Sequence, residues 1–224
     1  MIVEKLVVAI DGPSGSGKSS VAKEAARRLG AAYLDTGAMY RAVTWHCLDA
    51  GTDLADAAAV AAAVEAADLD ISTDPDVERV LIHGTDVTAA IREPRVSEAV
   101  SAVATNLDAR AELVRRQRGL IAAHARVVAE GRDITTVVAP QAEARILLTA
   151  SEEARLRRRG LQLGGTQSAA DLERQVLARD AKDATVVDFT TASDGVVTLD
   201  SSDLDFEQTV RAVLGIVAGR GAAL

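Results

Sequence analysis

The segment Gly12–Ser19 reads Gly-Pro-Ser-Gly-Ser-Gly-Lys-Ser and fits the pattern G-x-x-x-x-G-K-[ST]. It follows the apolar run Leu6–Ile10 and opens a helical pattern over Lys18–Leu29, the strand–loop–helix context of a phosphate-binding loop. Glycines let the main chain point its N–H groups at a polyphosphate, and the helix N-terminus adds positive potential. In this pattern Lys18 reaches the β- and γ-phosphates, and the Ser19 hydroxyl binds Mg²⁺. The predicted nucleotide-binding residues are Gly12, Pro13, Ser14, Gly15, Ser16, Gly17, Lys18, Ser19 and Ser20.

Composition excludes several classes of protein. The chain has 224 residues, 48% of them hydrophobic, which is enough for a folded core and argues against disorder. Its net charge of −8 does not fit a general nucleic-acid binder, so an anionic ligand must be drawn by a local basic site. We expect no membrane partner, because no apolar run approaches the ~20 residues of a membrane span. The single cysteine, Cys47, and the lack of a signal-peptide pattern favour a cytoplasmic protein, and we expect a monomer.

Short apolar runs alternate with helical patterns along the chain. The predicted strands are Leu6–Ile10, Ala32–Leu34, Val127–Ala129, Arg145–Thr149 and Val196–Leu199. The predicted helices are Lys18–Leu29, Gly37–Ala50, Asp108–Ala125, Ser151–Leu163 and Phe206–Val217. This alternation is typical of βαβ units, in which a parallel sheet is buried on both faces. We therefore predict an α/β fold, a three-layer sandwich of the P-loop NTPase type with a central five-stranded parallel sheet.

The region Leu69–Val87 breaks the alternation, because its short strands lie too close together for helical crossovers and are predicted to be antiparallel. We place a small inserted subdomain at residues 68–92. The core is then formed by residues 1–67 and 93–224, with a helical lid at about 151–170 that contains the Gly164-Gly165 pair.

Cationic residues recur at positions where a parallel sheet would gather them around one cleft. Thr36 is predicted to cap a helix that carries Arg41, and Arg132 and Asp133 follow a strand at the sheet edge where ligands bind. Separately, each feature also fits a capped helix, a surface ion pair or a solvated helix face. The other candidates are Arg110, the helix-face set Arg155, Arg158 and Arg159, and the pair Arg179 and Asp183. Together these residues favour transfer between two phosphorylated ligands over a nucleotide-dependent switch.

From Leu6 to about Val217 the chain resembles the bacterial cytidylate kinases, a family of nucleoside-monophosphate kinases. The segments that carry the resemblance are IDGPSGSGKSS (10–20), LDTGAMYRA (34–42), GTDVTAAIR (84–92), RAELVRRQR (110–118), EGRDITTVV (130–138), SEEARLRRRGLQL (151–163) and RDAKDAT (179–185). The resemblance implies phosphoryl transfer from ATP to CMP or dCMP with Mg²⁺, and it implies that the insert binds the nucleoside monophosphate.

The resemblance also assigns roles to individual residues. Arg41 and Arg132 are implied to bind the acceptor phosphate, while Arg155, Arg158 and Arg159 are implied to be lid arginines that act with Lys18 and Arg132 in catalysis. The implied contacts to the cytidine or its ribose are Asp35, Thr36, Ser101, Arg110, Asp133, Arg179 and Asp183. The family usually carries a further arginine after Asp183, but residues 184–189 contain none.

Cytosine chemistry is consistent with these assignments. Asp133 can accept a hydrogen bond from the exocyclic amine, and Arg110 can donate to the ring acceptors. Two alternatives stay open: a P-loop kinase of another acceptor, such as UMP or a small metabolite, and a P-loop switch. The sequence lacks the N-K-x-D and D-x-x-G motifs that would favour a guanine-nucleotide switch.

Overall fold

The computed structural model describes residues 5–162, 181, 184–185 and 187–219. The strands are β1 (Leu6–Asp11), β2 (Ala32–Asp35), β3 (Leu69–Ile71), β4 (Val80–Ile82), β5 (Thr85–Asp86), β6 (Arg126–Gly131), β7 (Ala144–Thr149) and β8 (Val197–Asp200). The helices are α1 (Lys18–Leu29), α2 (Thr36–Asp49), α3 (Ala57–Ala66), α4 (Pro94–Ala104), α5 (Leu107–Ala122), α6 (Glu152–Gln162) and α7 (Phe206–Gly219). A 3₁₀ turn covers Ala90–Arg92, and a π-helical turn covers Ile134–Val138. Within these described ranges, no helix has the length and apolar character that a membrane crossing requires.

The central sheet has the five parallel strands that the sequence predicts. Their order is β2-β6-β1-β7-β8, which places β1 in the middle between β6 and β7. Every residue of β1 is buried, which explains why this strand is a continuous apolar run rather than an alternating one. The predicted strands are therefore confirmed, with bounds that shift by one or two residues.

Two hydrophobic clusters cover the two faces of this sheet. Val7 and Ala9 point into a cluster with α2, α3, α4 and α5, whereas Val8 and Ile10 point into a second cluster with α1 and α7. Successive side chains of a strand point to opposite faces, so the alternation along β1 sends neighbouring residues into different clusters. The result is the predicted three-layer arrangement of helices, sheet and helices.

The predicted antiparallel region forms a separate three-stranded sheet of order β3-β4-β5. Val80 and Ile82 of β4 belong to the same hydrophobic cluster as Met39 and Val43 of α2. This small sheet therefore packs onto the central fold beside the helix that starts at the end of β2. The division of the chain at residues 68–92 stays a prediction.

The structure corrects the local prediction at the start of α2. Asp35, and not Thr36, is the N-cap, because its carboxylate accepts a 2.7 Å hydrogen bond from the Ala38 N–H. Thr36 is the first helical residue, and its hydroxyl instead donates to the Glu130 carbonyl at 2.8 Å. A Cβ on Gly131 would collide with the Thr36 hydroxyl, so glycine is required where β6 ends beside this helix.

Asp11 connects the end of β1 to the π-helical turn. Its carboxylate accepts hydrogen bonds from the Ile134 N–H at 2.8 Å, the Thr135 N–H at 2.8 Å and the Thr135 hydroxyl at 2.6 Å. Burial raises the pKa of Asp11 to about 6, and the hydrogen bonds from Thr135 and Ile134 oppose that shift. The proton is therefore bound more tightly in the folded than in the unfolded chain.

We expect the free energy of unfolding to contain an Asp11 contribution that is present below pH 4 and lost as the pH rises through about 6. The difference in unfolding free energy between the wild type and Asp11→Asn should fall by about 2 kcal/mol from pH 4 to pH 7. Urea denaturation across this range measures the difference. The control is Asp203→Asn, which removes an exposed carboxylate. A difference that stays constant or grows with pH would contradict the expectation.

Candidate active site

The phosphate-binding loop lies between β1 and α1, as predicted. Gly15 has a φ of +78°, a left-handed conformation that glycine adopts without strain. Its Cα also lies so close to the first turn of α6 that an added Cβ would come within 2.7 Å of the Arg155 carbonyl oxygen. The loop is thus closely packed against a neighbouring helix, and its shape depends on glycine at this position.

Lys18 and Ser19 begin α1 directly after the loop. The Lys18 ammonium donates to the Pro13 carbonyl at 3.3 Å, across the loop. The Ser19 hydroxyl donates to the Glu130 carboxylate at 2.6 Å. Glu130 lies near the end of β6 and is only 2% exposed, so the hydroxyl at the start of α1 is held by a buried carboxylate.

Two carboxylates near the loop, the buried Glu130 and the partly buried Asp35, have opposite pKa shifts. Burial, followed by the charge of Asp35, raises the pKa of Glu130 to about 7, although Lys18 and the Ser19 hydrogen bond act in the opposite direction. Burial also disfavours ionisation of Asp35, but Arg41, the Ala38 N–H and Lys18 outweigh it and hold the pKa of Asp35 below its usual value. Asp35 is therefore the carboxylate that balances the nearby cations, and Glu130 is the one that a further cation would help to ionise.

The loop, the strand ends and the neighbouring helices line an open cleft. Its walls come from the loop and the start of α1, the start of α2, α4, α5 and the segment after β6. The lining residues are Ser14, Gly15, Gly17, Lys18, Ser19, Ser20, Asp35, Thr36, Gly37, Tyr40, Arg41, Val100, Ala104, Arg110, Glu130, Gly131, Arg132, Asp133 and Val187.

Ion pairs hold two of the cleft arginines in place. Arg41 donates to Asp35 at 3.2 Å, and Arg110 donates to Asp133 at 2.5 Å. The Arg110–Asp133 pair is buried, with side-chain exposures of 13% and 6%. Arg110 also donates to the Ala104 carbonyl at 3.2 Å, so its guanidinium is fixed from two sides.

The cleft brings together twelve of the predicted site residues from distant parts of the chain. These are Ser14, Gly15, Gly17, Lys18, Ser19, Ser20, Asp35, Thr36, Arg41, Arg110, Arg132 and Asp133. Six other predicted residues do not line the cleft, namely Gly12, Pro13, Ser16, Ser101, Arg155 and Arg158. The remaining predictions fall outside the described part of the chain. They concern the Arg159 side chain, Arg179, Asp183 and the part of the predicted lid from residue 163 onward.

The arginines of α6 contact the loop backbone. Arg155 donates to the Ser14 carbonyl at 3.0 Å, and Arg158 donates to the Ser16 carbonyl at 3.1 Å. Arg158 also donates to the Ser201 carbonyl at 2.6 Å, so it connects the loop to the segment after β8. Arg157, which lies on another face of the helix, is exposed. In this arrangement Arg155 and Arg158 support the loop from outside, and their action on a transferring phosphate stays a prediction.

The sequence does not predict Glu130 as a site residue, although its segment EGRDITTVV carries the family resemblance. The sequence also does not predict the apolar wall formed by Val100, Ala104 and Val187, together with Tyr40. The signal for Glu130 was its place at the end of a buried strand, where a carboxylate needs a polar or ionic partner. No comparable signal marks the apolar wall, because its residues look like ordinary core positions.

Comparison with known proteins identifies the family of the chain. The family model for cytidylate kinase matches residues 8–218. A cytidylate kinase from Cutibacterium acnes is 44% identical over 97% of this chain and 98% of its own length. A cytidylate kinase from Nocardia farcinica is 48% identical over 95% of this chain and 94% of its own length.

The fold also resembles a solved structure with little sequence similarity. An uncharacterized protein from Eubacterium ventriosum superposes with a TM-score of 0.51, covering 96% of this chain and 99% of that protein, at 9% identity. At this level of identity the likeness concerns the fold alone.

The buried Arg110–Asp133 pair should be sensitive to the loss of one partner. We expect Arg110→Met to lower the free energy of unfolding by about 3 kcal/mol, because it leaves the Asp133 carboxylate buried without its cation. The double variant Arg110→Met, Asp133→Leu should recover most of that loss. Urea denaturation measures both.

The matched control is Arg115→Met on the same helix, since Arg115 is 71% exposed and also pairs with a carboxylate, Glu112. We expect this control to cost less than about 1 kcal/mol. Equal losses for Arg110→Met and Arg115→Met would show that burial of the pair has no energetic consequence.

Proposed function

The chain belongs to the cytidylate kinase family, and we propose that it transfers the γ-phosphoryl group of ATP to CMP or dCMP, giving ADP and CDP or dCDP. The observation that carries this proposal is the composition of one cleft. The phosphate-binding loop with Lys18 forms one side, and Arg41, Arg110 and Arg132 line the other. Such a cleft accommodates two anionic ligands, and the phosphoryl donor is the one that binds at the loop.

The donor half binds ATP through the loop. The loop N–H groups and the positive end of α1 surround the β- and γ-phosphates, and Lys18 neutralises charge on them. Arg155 and Arg158 keep the loop in shape through the Ser14 and Ser16 carbonyls. No covalent intermediate with the protein is needed, because catalysis consists of positioning and charge neutralisation.

The acceptor half binds the nucleoside monophosphate. Arg41 and Arg132 bind its phosphate, and Asp133 and Arg110 recognise the cytosine. Arg110 occupies one oxygen of the Asp133 carboxylate, and a carboxylate has further lone pairs with which to accept from the cytosine amine. Uracil presents a carbonyl oxygen in place of that amine, so two acceptors face each other and the second hydrogen bond to Asp133 is not made.

Mg²⁺ fits the residues at the start of α1. The Ser19 hydroxyl and the Glu130 carboxylate are oxygen donors of the kind that Mg²⁺ prefers, and they are already within 2.6 Å of each other. When bound, the ion neutralises charge on the phosphate oxygens. Glu130 holds the hydroxyl of Ser19 toward the loop and supplies negative charge to a site otherwise dominated by Lys18.

The organisation of the chain follows from the same proposal. We place the nucleoside-monophosphate-binding subdomain at residues 68–92 and the lid at about 151–170. We further propose a monomer in the cytoplasm, which size-exclusion chromatography with light scattering and cell fractionation would test.

We expect ADP release in the presence of ATP and Mg²⁺ to require CMP or dCMP, with turnover at least tenfold above that with UMP or AMP. A coupled assay with each acceptor, and with none, measures this. Equal ADP release without an acceptor would contradict the kinase proposal and favour an NTPase. Greater turnover with UMP would contradict the assignment of the acceptor.

Lys18→Ala serves as the inactive variant of that assay. It should lose transfer by at least a hundredfold with an unchanged circular dichroism spectrum, because Lys18 neutralises charge on the transferring group. Turnover near that of the wild type in a folded Lys18→Ala protein would contradict the role of the loop.

Glu130→Gln should raise the Mg²⁺ concentration for half-maximal rate by about tenfold, as expected for a carboxylate that supports a metal site. Glutamine keeps an acceptor for the Ser19 hydroxyl but removes the negative charge. The control is Glu24→Gln on α1, since Glu24 bonds Arg27 and Arg28 instead of the loop. An unchanged Mg²⁺ requirement in Glu130→Gln would exclude Glu130 from the site.

A further inference from the structure

An aromatic ring lies against one of the cleft arginines. The guanidinium carbon of Arg132 is 4.5 Å from the centroid of the Phe189 ring, within the ~6 Å range of a cation–π interaction. Phe189 is 1% exposed, and the interaction is therefore shielded from water. Shielding strengthens such a contact relative to one at the surface.

The burial of Phe189 is not explained by the hydrophobic core. Of the two hydrophobic clusters that cover the sheet, as far as the structure describes the chain, neither includes Phe189. The ring is instead buried beside the cleft, and its near neighbour Val187 lines the cleft directly. A large apolar side chain placed there acts on the site rather than on the core.

The backbone that carries Phe189 is held by a local turn and, farther along the chain, by the central sheet. The Asp188 carboxylate accepts hydrogen bonds from the Thr190 N–H at 2.9 Å and the Thr191 N–H at 3.0 Å, which closes a tight turn around Phe189. Farther along, Arg145 of β7 donates to the Asp194 carbonyl at 2.9 Å and so attaches the segment to the central sheet.

The backbone after Arg132 is fixed as well. Asp11 accepts from the N–H groups of Ile134 and Thr135, which anchors the turn that follows Arg132 to the end of β1. The ring and the guanidinium thus belong to two separately anchored segments, so their stacking has a defined geometry.

Stacking restrains an arginine in a way that suits phosphate binding. The ring occupies the face of the guanidinium, whereas the N–H groups of arginine point outward in its plane. A restrained guanidinium loses less freedom when those N–H groups bind phosphate oxygens in a forked geometry.

We propose that Phe189 is a positioning residue whose ring holds the Arg132 guanidinium in the orientation that binds the acceptor phosphate. This inference rests on the proposed function, in which Arg132 meets that phosphate. Phe189 itself touches no reacting atom.

Fluorination of the ring tests the proposal, because fluorine withdraws electron density from the ring face and changes its shape little. The chain has two phenylalanines, Phe189 and Phe206, and Phe206 is 51% exposed at the start of α7. In a Phe206→Leu background, global incorporation of 4-fluoro-, 3,5-difluoro- and 3,4,5-trifluorophenylalanine modifies Phe189 alone. Phe206→Leu with ordinary phenylalanine is the reference protein.

We expect kcat/KM for CMP to fall stepwise with the number of fluorines, by about three- to tenfold for the trifluoro ring. KM for ATP and the melting temperature should change little, since fluorination keeps the ring buried and apolar. A flat series, or an equal change in KM for ATP and for CMP, would overturn the proposal.

Phe189→Leu and Arg132→Met complete the test as a double-mutant cycle. If Phe189 acts through Arg132, Phe189→Leu lowers kcat/KM for CMP about tenfold in the wild type but less than twofold in the Arg132→Met background. Additive losses in the two backgrounds would overturn the proposal. Phe189→Tyr keeps the ring face, so its kcat/KM for CMP should be closer to that of the wild type than the value for Phe189→Leu.

The outcomes for the two proposals differ. A reference protein that phosphorylates no CMP contradicts the proposed function. A CMP kinase with a flat fluorine series contradicts only the role of Phe189. The same double-mutant cycle can be measured on the free energy of unfolding, which detects the stacking independently of activity. A coupling energy of zero in that cycle would contradict the contact between Phe189 and Arg132.

Discussion

The parallel pairing of β1 with β6 is the interaction on which the rest of the structure depends. The two strands pair in continuous register from Leu6 and Arg126 to Asp11 and Gly131. Because the two strands are parallel, both end at the same edge of the sheet. The phosphate-binding loop after β1 and the Arg132-Asp133 segment after β6 therefore lie side by side. The Asp11 carboxylate accepts hydrogen bonds from the turn after Asp133, which connects the end of β1 to the segment that follows β6. The phosphate-binding loop and the Arg132-Asp133 segment are thus joined at one edge of the sheet.

The charge distribution of the cleft explains how an acidic chain can bind two polyanions. The net charge of −8 offers no general attraction for phosphate, so the cations must be concentrated locally. Carboxylates in the cleft wall make that concentration stable, since the partly buried Asp35 pairs with Arg41 and the buried Asp133 pairs with Arg110. Each pair holds a guanidinium at the cleft wall. The same pairs limit mutual repulsion among arginines before a ligand arrives.

Much of the fold could be predicted from local pattern, whereas the roles of the arginines could not. The strands and the loop are set by apolar runs and glycine spacing, which act within a few residues. Arg110 and Arg116 lie on the same helix and look alike in sequence, yet Arg110 reaches Asp133 in the cleft and Arg116 donates to the Ala67 carbonyl at the end of α3. The helix and its neighbours decide which direction each guanidinium faces, and no local pattern encodes that.

The sequence by itself determined the α/β class, the phosphate-binding loop at Gly12–Ser19 and the family, because these follow from periodicity and from contiguous motifs. Only the tertiary structure decided that Glu130 holds Ser19, that Arg155 and Arg158 support the loop, and that Phe189 stacks on Arg132. The physical reason is the distance along the chain over which each interaction acts. Backbone preferences and hydrophobic periodicity act between near neighbours in the chain, whereas these contacts join side chains that meet only after the sheet has brought distant segments to one edge.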